Sequence, residues 1–361
     1  MAVPARLIPV AVRRSGRRWC GTLRLLIVDA HTDVVLELLV GPGEDPALEL
    51  VLRHGGDGVF ERYWLPRLEA AGVGVQVCPL YGACAPGPGA RGRALAQEAE
   101  LRRSIEANSE RVCLVRSSEE LDDPRVGIVL SMEGVEPLEG DPGAFEEWYE
   151  RGVRSVGLTW NHANEFAGGV FTPTQGLTER GRTLVRRLGE LGVVLDLAHA
   201  SEPTWRDVLA EGVLFSVTHA GCRAVCDHPR NLADWQLEAT AQCGGVVGMM
   251  ALPFSVHHEA PTLSRWLDHF DHAVAVMGIA HVGLGVDIVD QAPPIDCDPV
   301  FAPDPKTVAH RKARLALEAF AGPEDYPALV RALRDRGYDG ERLDAILNGN
   351  WLRLLRGAYA A

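Results

Sequence analysis

The chain has 361 residues, enough for one large domain or two ordinary ones, and 47% of them are hydrophobic. It carries 36 Lys and Arg residues against 49 Asp and Glu residues, a formal net charge of −13 at pH 7. This balance argues against nucleic acid or an anionic membrane surface as the main partner. No segment approaches the ~18 apolar residues that a membrane-spanning helix needs.

The N-terminal residues 1–24 form a basic extension, with six arginines and no acidic residue, that we expect to be disordered. Residues 25–361 are expected to form one domain. The apolar piece at 7–12 precedes the arginine cluster, which reverses the order found in a secretory signal. The eight cysteines contain no C-x-x-C pair, so we interpret them as reduced. The sequence therefore predicts a cytoplasmic protein.

Short apolar runs rich in β-branched residues predict buried strands. They lie at 25–28, 73–79, 126–131, 153–159, 193–197, 213–218, 245–250 and 282–286. Most of the intervals have helical periodicity; in 177–191, for example, an apolar stripe follows a predicted N-cap at Thr178. Eight apolar strands alternating with amphipathic helices predict an α/β fold, a (β/α)8 TIM-like barrel. An open doubly wound sheet is the alternative.

Candidate metal ligands lie at or near the ends of these strands. They are His31, Asp33, Glu133, His199 and His219. Zinc binds imidazole nitrogen and carboxylate oxygen, and barrel enzymes assemble their sites at the C-terminal strand ends. His31 and Asp33 are two residues apart in an extended segment, so both side chains can face one cation. The pattern predicts a site for a divalent, zinc-like cation at this end of the barrel.

Two further residues have the chemistry of a catalytic or substrate-binding group. Asp287 follows the eighth predicted strand and is a candidate ligand or proton shuttle, with Asp290 as the competing choice. Arg230 lies in the polar loop 226–231, where a guanidinium suits a substrate carboxylate. The alternative is that Arg230 pairs with a neighbouring acid and only holds the loop.

With these residues assembled, the chain resembles the membrane (renal) dipeptidase family of zinc peptidases, barrels related to the amidohydrolases. The resemblance runs from about residue 25 to residue 355. Its motifs are Asp29-Ala-His31-Thr-Asp33, Ser131-Met-Glu133-Gly, Leu158-Thr-Trp160-Asn, Leu195-Asp-Leu-Ala-His199-Ala-Ser, Thr218-His219, Asp227-His-Pro-Arg230-Asn231-Leu, His281-Val-Gly-Leu-Gly-Val-Asp287 and Gly349-Asn350-Trp-Leu.

The resemblance implies a binuclear zinc dipeptidase that hydrolyses short peptides with a free terminal carboxylate. His31 and Asp33 would bind one Zn²⁺ ion, His199 and His219 the other, and Glu133 would bridge the two.

The resemblance also implies roles for residues around the metals. Arg230 would hold the substrate carboxylate, Asp287 would serve the proton transfers, and Asn350 would lie with the substrate-binding residues. A small peptide is the implied partner. Family members often form homodimers, but the sequence shows no interface signature.

Two departures from the family pattern bear on specificity. Trp160 stands where the mammalian members have a histidine thought to stabilise the oxyanion, and Leu252 stands where a tyrosine is expected. His162 has the same strand parity as Trp160 and could substitute, or it could be a solvated loop histidine. Two alternative functions follow: hydrolysis of another small amide, lactam or conjugate in secondary metabolism, or non-catalytic binding of a small molecule.

Overall fold

The structure, a computed structural model, describes residues 26–35, 58–82, 89–288, 317 and 319–360. The predicted N-terminal extension, residues 1–24, lies outside the described residues, and so does Asp290. No helix in the described part of the chain is both long enough and apolar enough to cross a lipid bilayer.

The described residues contain one sheet of nine parallel strands. These are β1 (Ile27–Asp29), β2 (Val73–Tyr81), β3 (Val112–Leu114), β4 (Val126–Glu133), β5 (Val153–Gly157), β6 (Val194–Asp196), β7 (Phe215–Ala220), β8 (Val247–Met249) and β9 (Val282–Leu284).

Helices fill most of the intervals between the strands and follow the last one. The α-helices are α1 (Leu65–Ala71), α2 (Gly89–Ala107), α3 (Phe145–Glu150), α4 (Glu179–Glu190), α5 (Glu202–Glu211), α6 (Asp234–Gln242), α7 (Pro253–Val256), α8 (Leu263–Met277), α9 (Tyr326–Asp335), α10 (Gly340–Asp344) and α11 (Asn350–Tyr359). Two π-helical segments, Phe60–Trp64 and Ala345–Gly349, lead into α1 and α11.

The sheet closes because β2 pairs with both β1 and β4, and β9 pairs with both β1 and β8. Eight strands, β1, β2 and β4–β9, complete the barrel. They correspond to the eight runs predicted from the sequence, so the (β/α)8 barrel is confirmed and the open doubly wound sheet is wrong. The additional strand β3 pairs with the first residues of β4 on the edge that β5 occupies further along.

Two barrel glycines are required by close approach of neighbouring strands. A Cβ at Gly248 would lie 2.0 Å from the carbonyl oxygen of Thr218, and one at Gly285 would lie 1.7 Å from the same oxygen. Both distances are far inside van der Waals contact, so any other residue would push the strands apart. These glycines hold the end of β7 against β8 and the segment that follows β9.

Helix α4 begins where the sequence predicts an N-cap. The Thr178 side chain accepts a hydrogen bond from the Gly181 N–H at the start of α4, which satisfies one otherwise unpaired helix donor. The buried stripe of α4, including Leu184 and Leu188, packs into the main core between the barrel and its helices. Both predictions, the cap and the buried face, are confirmed.

The last helix, α11, packs against residues from several strands. Trp351 and Leu355 share one apolar cluster with Val28, Val75 and Val129 of β1, β2 and β4. The Trp351 indole also donates to the carbonyl of Leu284 (2.9 Å). This helix therefore helps to fix β9 and the neighbouring strands in place.

Candidate metal centre

Four of the predicted ligands lie at the C-terminal ends of four strands. Glu133 is the last residue of β4 and His219 is the second-last residue of β7. His31 follows β1 by two residues, and His199 follows β6 by three. All four side chains are buried. The closed barrel brings these strand ends to one place although the residues are far apart in the sequence.

The side chains converge on one carboxylate oxygen. Glu133 Oε1 lies 3.0 Å from His199 Nε2 and 3.6 Å from the Nε2 atoms of both His31 and His219. The Nε2 atoms of His199 and His219 are 2.8 Å apart. Ligand atoms of His31, Glu133 and His219 all lie within 4.8 Å of one another. The structure therefore brings these four residues together.

The donor set fits a divalent cation of the zinc type. The Nδ1 atoms of His199 and His219 already face oxygen atoms, Asn161 Oδ1 at 2.7 Å and Thr218 Oγ1 at 2.9 Å. When each Nδ1 carries the proton, both Nε2 lone pairs point at each other and at the Glu133 carboxylate. Such lone pairs repel unless a cation lies between them, and imidazole with carboxylate is the ligand chemistry of zinc.

Two more buried carboxylates lie beside this cluster. Burial raises the pKa of Asp33 well above its usual value, and the charge of Asp287 raises it further. Burial raises the pKa of Asp287 to about 7, and the charge of Arg230 opposes that rise. Burial and then the charges of Asp33 and Asp287 also raise the pKa of Glu133. Three mutually repelling carboxylates need cations or protons to offset their charge.

The imidazoles are held in their neutral form. Burial lowers the pKa of His31 to about 3 and brings the pKa values of His199 and His219 well below the usual value. Neutral imidazole is the form that binds metal ions. The charge of Arg230 contributes to all three shifts, so this buried arginine lies near the candidate ligands.

Two of the ligand-bearing segments have an unusual backbone conformation. His199 and Asp287 have φ angles of 64° and 58°, in the left-handed region that side chains other than glycine rarely adopt. The surrounding structure holds both: the Asp287 N–H donates to the His31 carbonyl (2.9 Å), and the Val170 N–H donates to the His199 carbonyl (2.7 Å). Strained residues of this kind cluster at functional sites.

The residues of the loop after β5 lie in different surroundings. The Trp160 ring is 6.1 Å from the His199 ring and meets Tyr81 edge to face at 5.3 Å, so Trp160 borders the centre. The His162 ring instead lies 5.9 Å from Phe171, and its Nε2 atom is buried without a hydrogen-bond partner in the described part of the chain. The structure shows Trp160, and not His162, against a predicted ligand.

Asn350 is not part of this site, and its predicted place among the substrate-binding residues is wrong. Its side chain donates to the carbonyls of Ile279 (2.7 Å) and Val282 (2.8 Å). Val282 is the first residue of β9, whereas the candidate ligands lie at the opposite, C-terminal ends of the strands. Asn350 therefore fixes α11 to the barrel.

Sequence reasoning missed the residues that hold the ligands in place. Asn161 faces His199, and Thr218 faces His219. The Thr218 hydroxyl also lies 2.5 Å from Asp196 Oδ2. All three residues are buried. Thr218 directly precedes His219, Asp196 ends β6 and Asn161 lies in the loop after β5, and periodicity alone does not separate such positions from ordinary polar residues.

The side chain of Asp29, the last residue of β1, forms hydrogen bonds to three segments of the chain near His31. Its carboxylate accepts hydrogen bonds from the Thr32 hydroxyl (2.6 Å), the Gln76 amide (3.1 Å) and the Val286 N–H (3.1 Å). These partners belong to the segment after β1, to β2 and to the segment after β9. Asp29 therefore fixes the course of the chain that carries His31.

Comparisons with known proteins identify the family. A family model for membrane dipeptidase (peptidase family M19) matches residues 22–295. A Klebsiella pneumoniae protein described only as uncharacterised and encoded in the pqqA 5′ region is 32% identical over 280 residues, covering 73% of this chain and 95% of its own length. Mouse dipeptidase 3 is 28% identical, and the match covers 91% of this chain but 64% of that protein.

Solved structures give the same result. A dipeptidase described as a metallopeptidase superposes with a TM-score of 0.77 at 26% identity, covering 94% of this chain and 100% of that one. A metallopeptidase from Rhodobacter sphaeroides, bound to a phosphinate mimic of the dipeptide L-Ala-D-Ala, gives a TM-score of 0.74 at 25% identity, covering 92% and 99%. With three quarters of its length matched by the family model and four of its predicted ligands gathered at the C-terminal strand ends, the chain belongs to the membrane dipeptidase family of metallopeptidases.

Proposed function

We propose that the protein is a binuclear zinc dipeptidase that hydrolyses the amide bond of short peptides with a free terminal carboxylate. The convergence of Glu133 Oε1 with the Nε2 atoms of His31, His199 and His219 carries this proposal. Family membership and the dipeptide mimic bound to the Rhodobacter sphaeroides relative support the reaction class.

The ligand roles follow the family pattern. His31 and Asp33 would hold one ion, His199 and His219 the other, and Glu133 would bridge them. When bound, the two ions would supply a water-derived nucleophile at neutral pH and polarise the scissile carbonyl.

Protein groups would perform the remaining steps. Asp287, whose pKa burial raises to about 7, is suited to accept a proton from water and pass it to the leaving amine. Arg230 would orient the peptide through its terminal carboxylate, because a guanidinium can make paired hydrogen bonds to it. Both groups are buried, so little water competes for them.

Activity on a dipeptide panel, with and without added zinc and after chelation, tests this function. We expect hydrolysis that chelation abolishes and zinc restores, with two zinc ions per chain by elemental analysis. Fewer than two tightly bound ions, or hydrolysis that persists after complete metal removal, would contradict the proposal. Cell fractionation and light scattering test the accompanying expectations of a cytoplasmic location and a homodimer.

A second candidate is hydrolysis of another small amide, lactam or conjugate. The observation that favours it is the Trp160 ring, which lies 6.1 Å from the His199 ring and packs edge to face against Tyr81, at the position where the family resemblance implies a histidine. An apolar side chain beside His199 would favour substrates that differ from those favoured by a polar side chain at the same position. Turnover of lactams or N-acyl amides with no turnover of dipeptides would favour this candidate. Two bound zinc ions with no turnover of either class would favour a non-catalytic binder.

A further inference from the structure

A buried hydrogen-bonded chain connects Asp196, at the end of β6, to His219 on β7. Asp196 Oδ1 accepts from the backbone N–H groups of Ala198 and Thr218, each at 2.9 Å. Its other oxygen, Oδ2, lies 2.5 Å from the Thr218 hydroxyl. That hydroxyl in turn lies 2.9 Å from His219 Nδ1. All of these side chains are buried.

The direction of the chain follows from the single hydrogen of a hydroxyl group. A separation of 2.5 Å is typical of an O–H group donating to an ionised carboxylate. The Thr218 hydrogen is therefore directed to Asp196, which leaves only lone pairs on Oγ1 to face the imidazole. His219 Nδ1 must then donate, and the proton is fixed on the nitrogen that faces away from Glu133.

From this geometry we infer that Thr218 is a positioning residue for metal binding, through which Asp196 sets the tautomer and orientation of His219. Thr218 and Asp196 do not touch the ions; they keep the His219 Nε2 lone pair free and aimed at the ligand cluster. The inference rests on the proposed metal centre. Loss of a group that orients a metal-ligating histidine typically weakens metal affinity by ~10- to 100-fold.

Two substitutions at Thr218 distinguish the effect of the hydroxyl group from the effect of the side-chain volume. Thr218→Val removes the hydroxyl at nearly constant size, and Thr218→Ser keeps it. Thr240→Val is the matched control, because the Thr240 hydroxyl is equally buried but donates to the Gln236 carbonyl within α6.

The measurement is a titration of each metal-free protein with zinc in competition with a chromophoric chelator. We expect Thr218→Val to weaken one of two zinc affinities by ~10- to 100-fold, and Thr218→Ser and Thr240→Val to bind as the wild type does. Zinc binding by Thr218→Val at wild-type affinity would overturn the inference. So would equal losses in the Val and Ser variants, because packing rather than the hydroxyl would then be responsible.

Asp196→Asn gives a second test that keeps the shape of the site. Because Oδ1 accepts two backbone N–H groups, the new amide nitrogen would take the place of Oδ2 and donate to Thr218. The hydroxyl hydrogen would then turn towards His219 Nδ1 and favour the proton on Nε2, where it competes with the metal. We expect the same loss of zinc affinity as in Thr218→Val; wild-type affinity would refute the relay.

The outcomes distinguish this inference from the proposed function. If the wild-type protein itself binds fewer than two zinc ions, the proposed function fails. If the wild type binds two ions and the Thr218 and Asp196 variants match it, only the inference fails. Should Thr218→Val not fold, as judged by circular dichroism, the nearly isosteric Asp196→Asn variant decides the question.

Discussion

Replacing Arg230 with methionine tests how the protein recognises its substrate. Arg230 is buried beside the ligand cluster, and its charge alters the pKa values of His31, His199 and Asp287. Methionine keeps much of the apolar stem but removes the guanidinium. If Arg230 holds the terminal carboxylate of a peptide, the variant should lose affinity for substrates that carry this group and little affinity for those that do not.

The expected loss of binding free energy follows from the burial of Arg230, which would meet the substrate carboxylate away from bulk water. Hydrogen bonds to charged groups contribute about 1.5–3 kcal/mol each in proteins, and truncating one partner of a buried charge pair costs 2–5 kcal/mol, roughly. We expect Arg230→Met to lose about 3 kcal/mol of binding free energy, which corresponds to roughly a 150-fold decrease in kcat/KM. Most of the change should appear in KM, because the carboxylate is bound before and during the reaction.

The assay compares each dipeptide with its C-terminal amide on both proteins. The wild type should prefer the free carboxylate, and Arg230→Met should lose that preference while its activity on the amide changes little. Arg223→Met is the control, because Arg223 lies in the same region and donates to the Pro229 carbonyl. Zinc content is measured in every variant. An unchanged preference in Arg230→Met, with both metals bound, would refute the role of Arg230.

Three further substitutions test other parts of the interpretation. Asp287→Asn should lower kcat by ~100-fold or more while zinc content stays constant; a normal kcat would remove Asp287 from the proton transfers. Burial raises the pKa of Glu136 from 4.5 to about 7, so the folded protein retains a proton that the unfolded chain releases, and stability falls as pH rises through this interval. Glu136→Gln should therefore raise the melting temperature at pH 8 but not at pH 4, in scanning calorimetry; equal shifts at both pH values would contradict this. Asn350→Ala should lower the free energy of unfolding by about 2 kcal/mol, because the buried Val282 carbonyl and the half-buried Ile279 carbonyl lose their donor, with KM unchanged; a raised KM at unchanged stability would return Asn350 to the substrate site.

A residue near a strand end can be predicted as a site residue when the sequence shows clearly where the strand ends. His31, Glu133, His199 and His219 come shortly after apolar runs that are clear in the sequence, and all four meet in the structure. Asn350 was placed in the site by family resemblance alone. It belongs to a helix that packs at the start of β9, and no periodicity in the sequence shows which end of a barrel a helix will contact.

The residues that contact the candidate ligands show a second limit of prediction from sequence. Thr218 and Asp196 lie 22 residues apart, yet their side chains are in hydrogen-bond contact. That contact depends on the register between β6 and β7, in which Asp196 pairs with Ser216. Sequence spacing gives the direction of a side chain within one strand, but it does not give the register between two strands.

The apolar runs are enough to locate the eight barrel strands, because a parallel strand buried on both faces must be apolar along its whole length. The histidines and acidic residues after these runs also identify the candidate ligands, because imidazoles and carboxylates gathered at strand ends have few purely structural uses. Other features are visible only in the folded chain: the sheet closes through β2 and β4, Trp160 borders His199, Asn161 faces His199, and Thr218 lies between Asp196 and His219. Those features depend on strand register and side-chain rotation across the barrel, which are set by packing of the whole chain and not by any local segment.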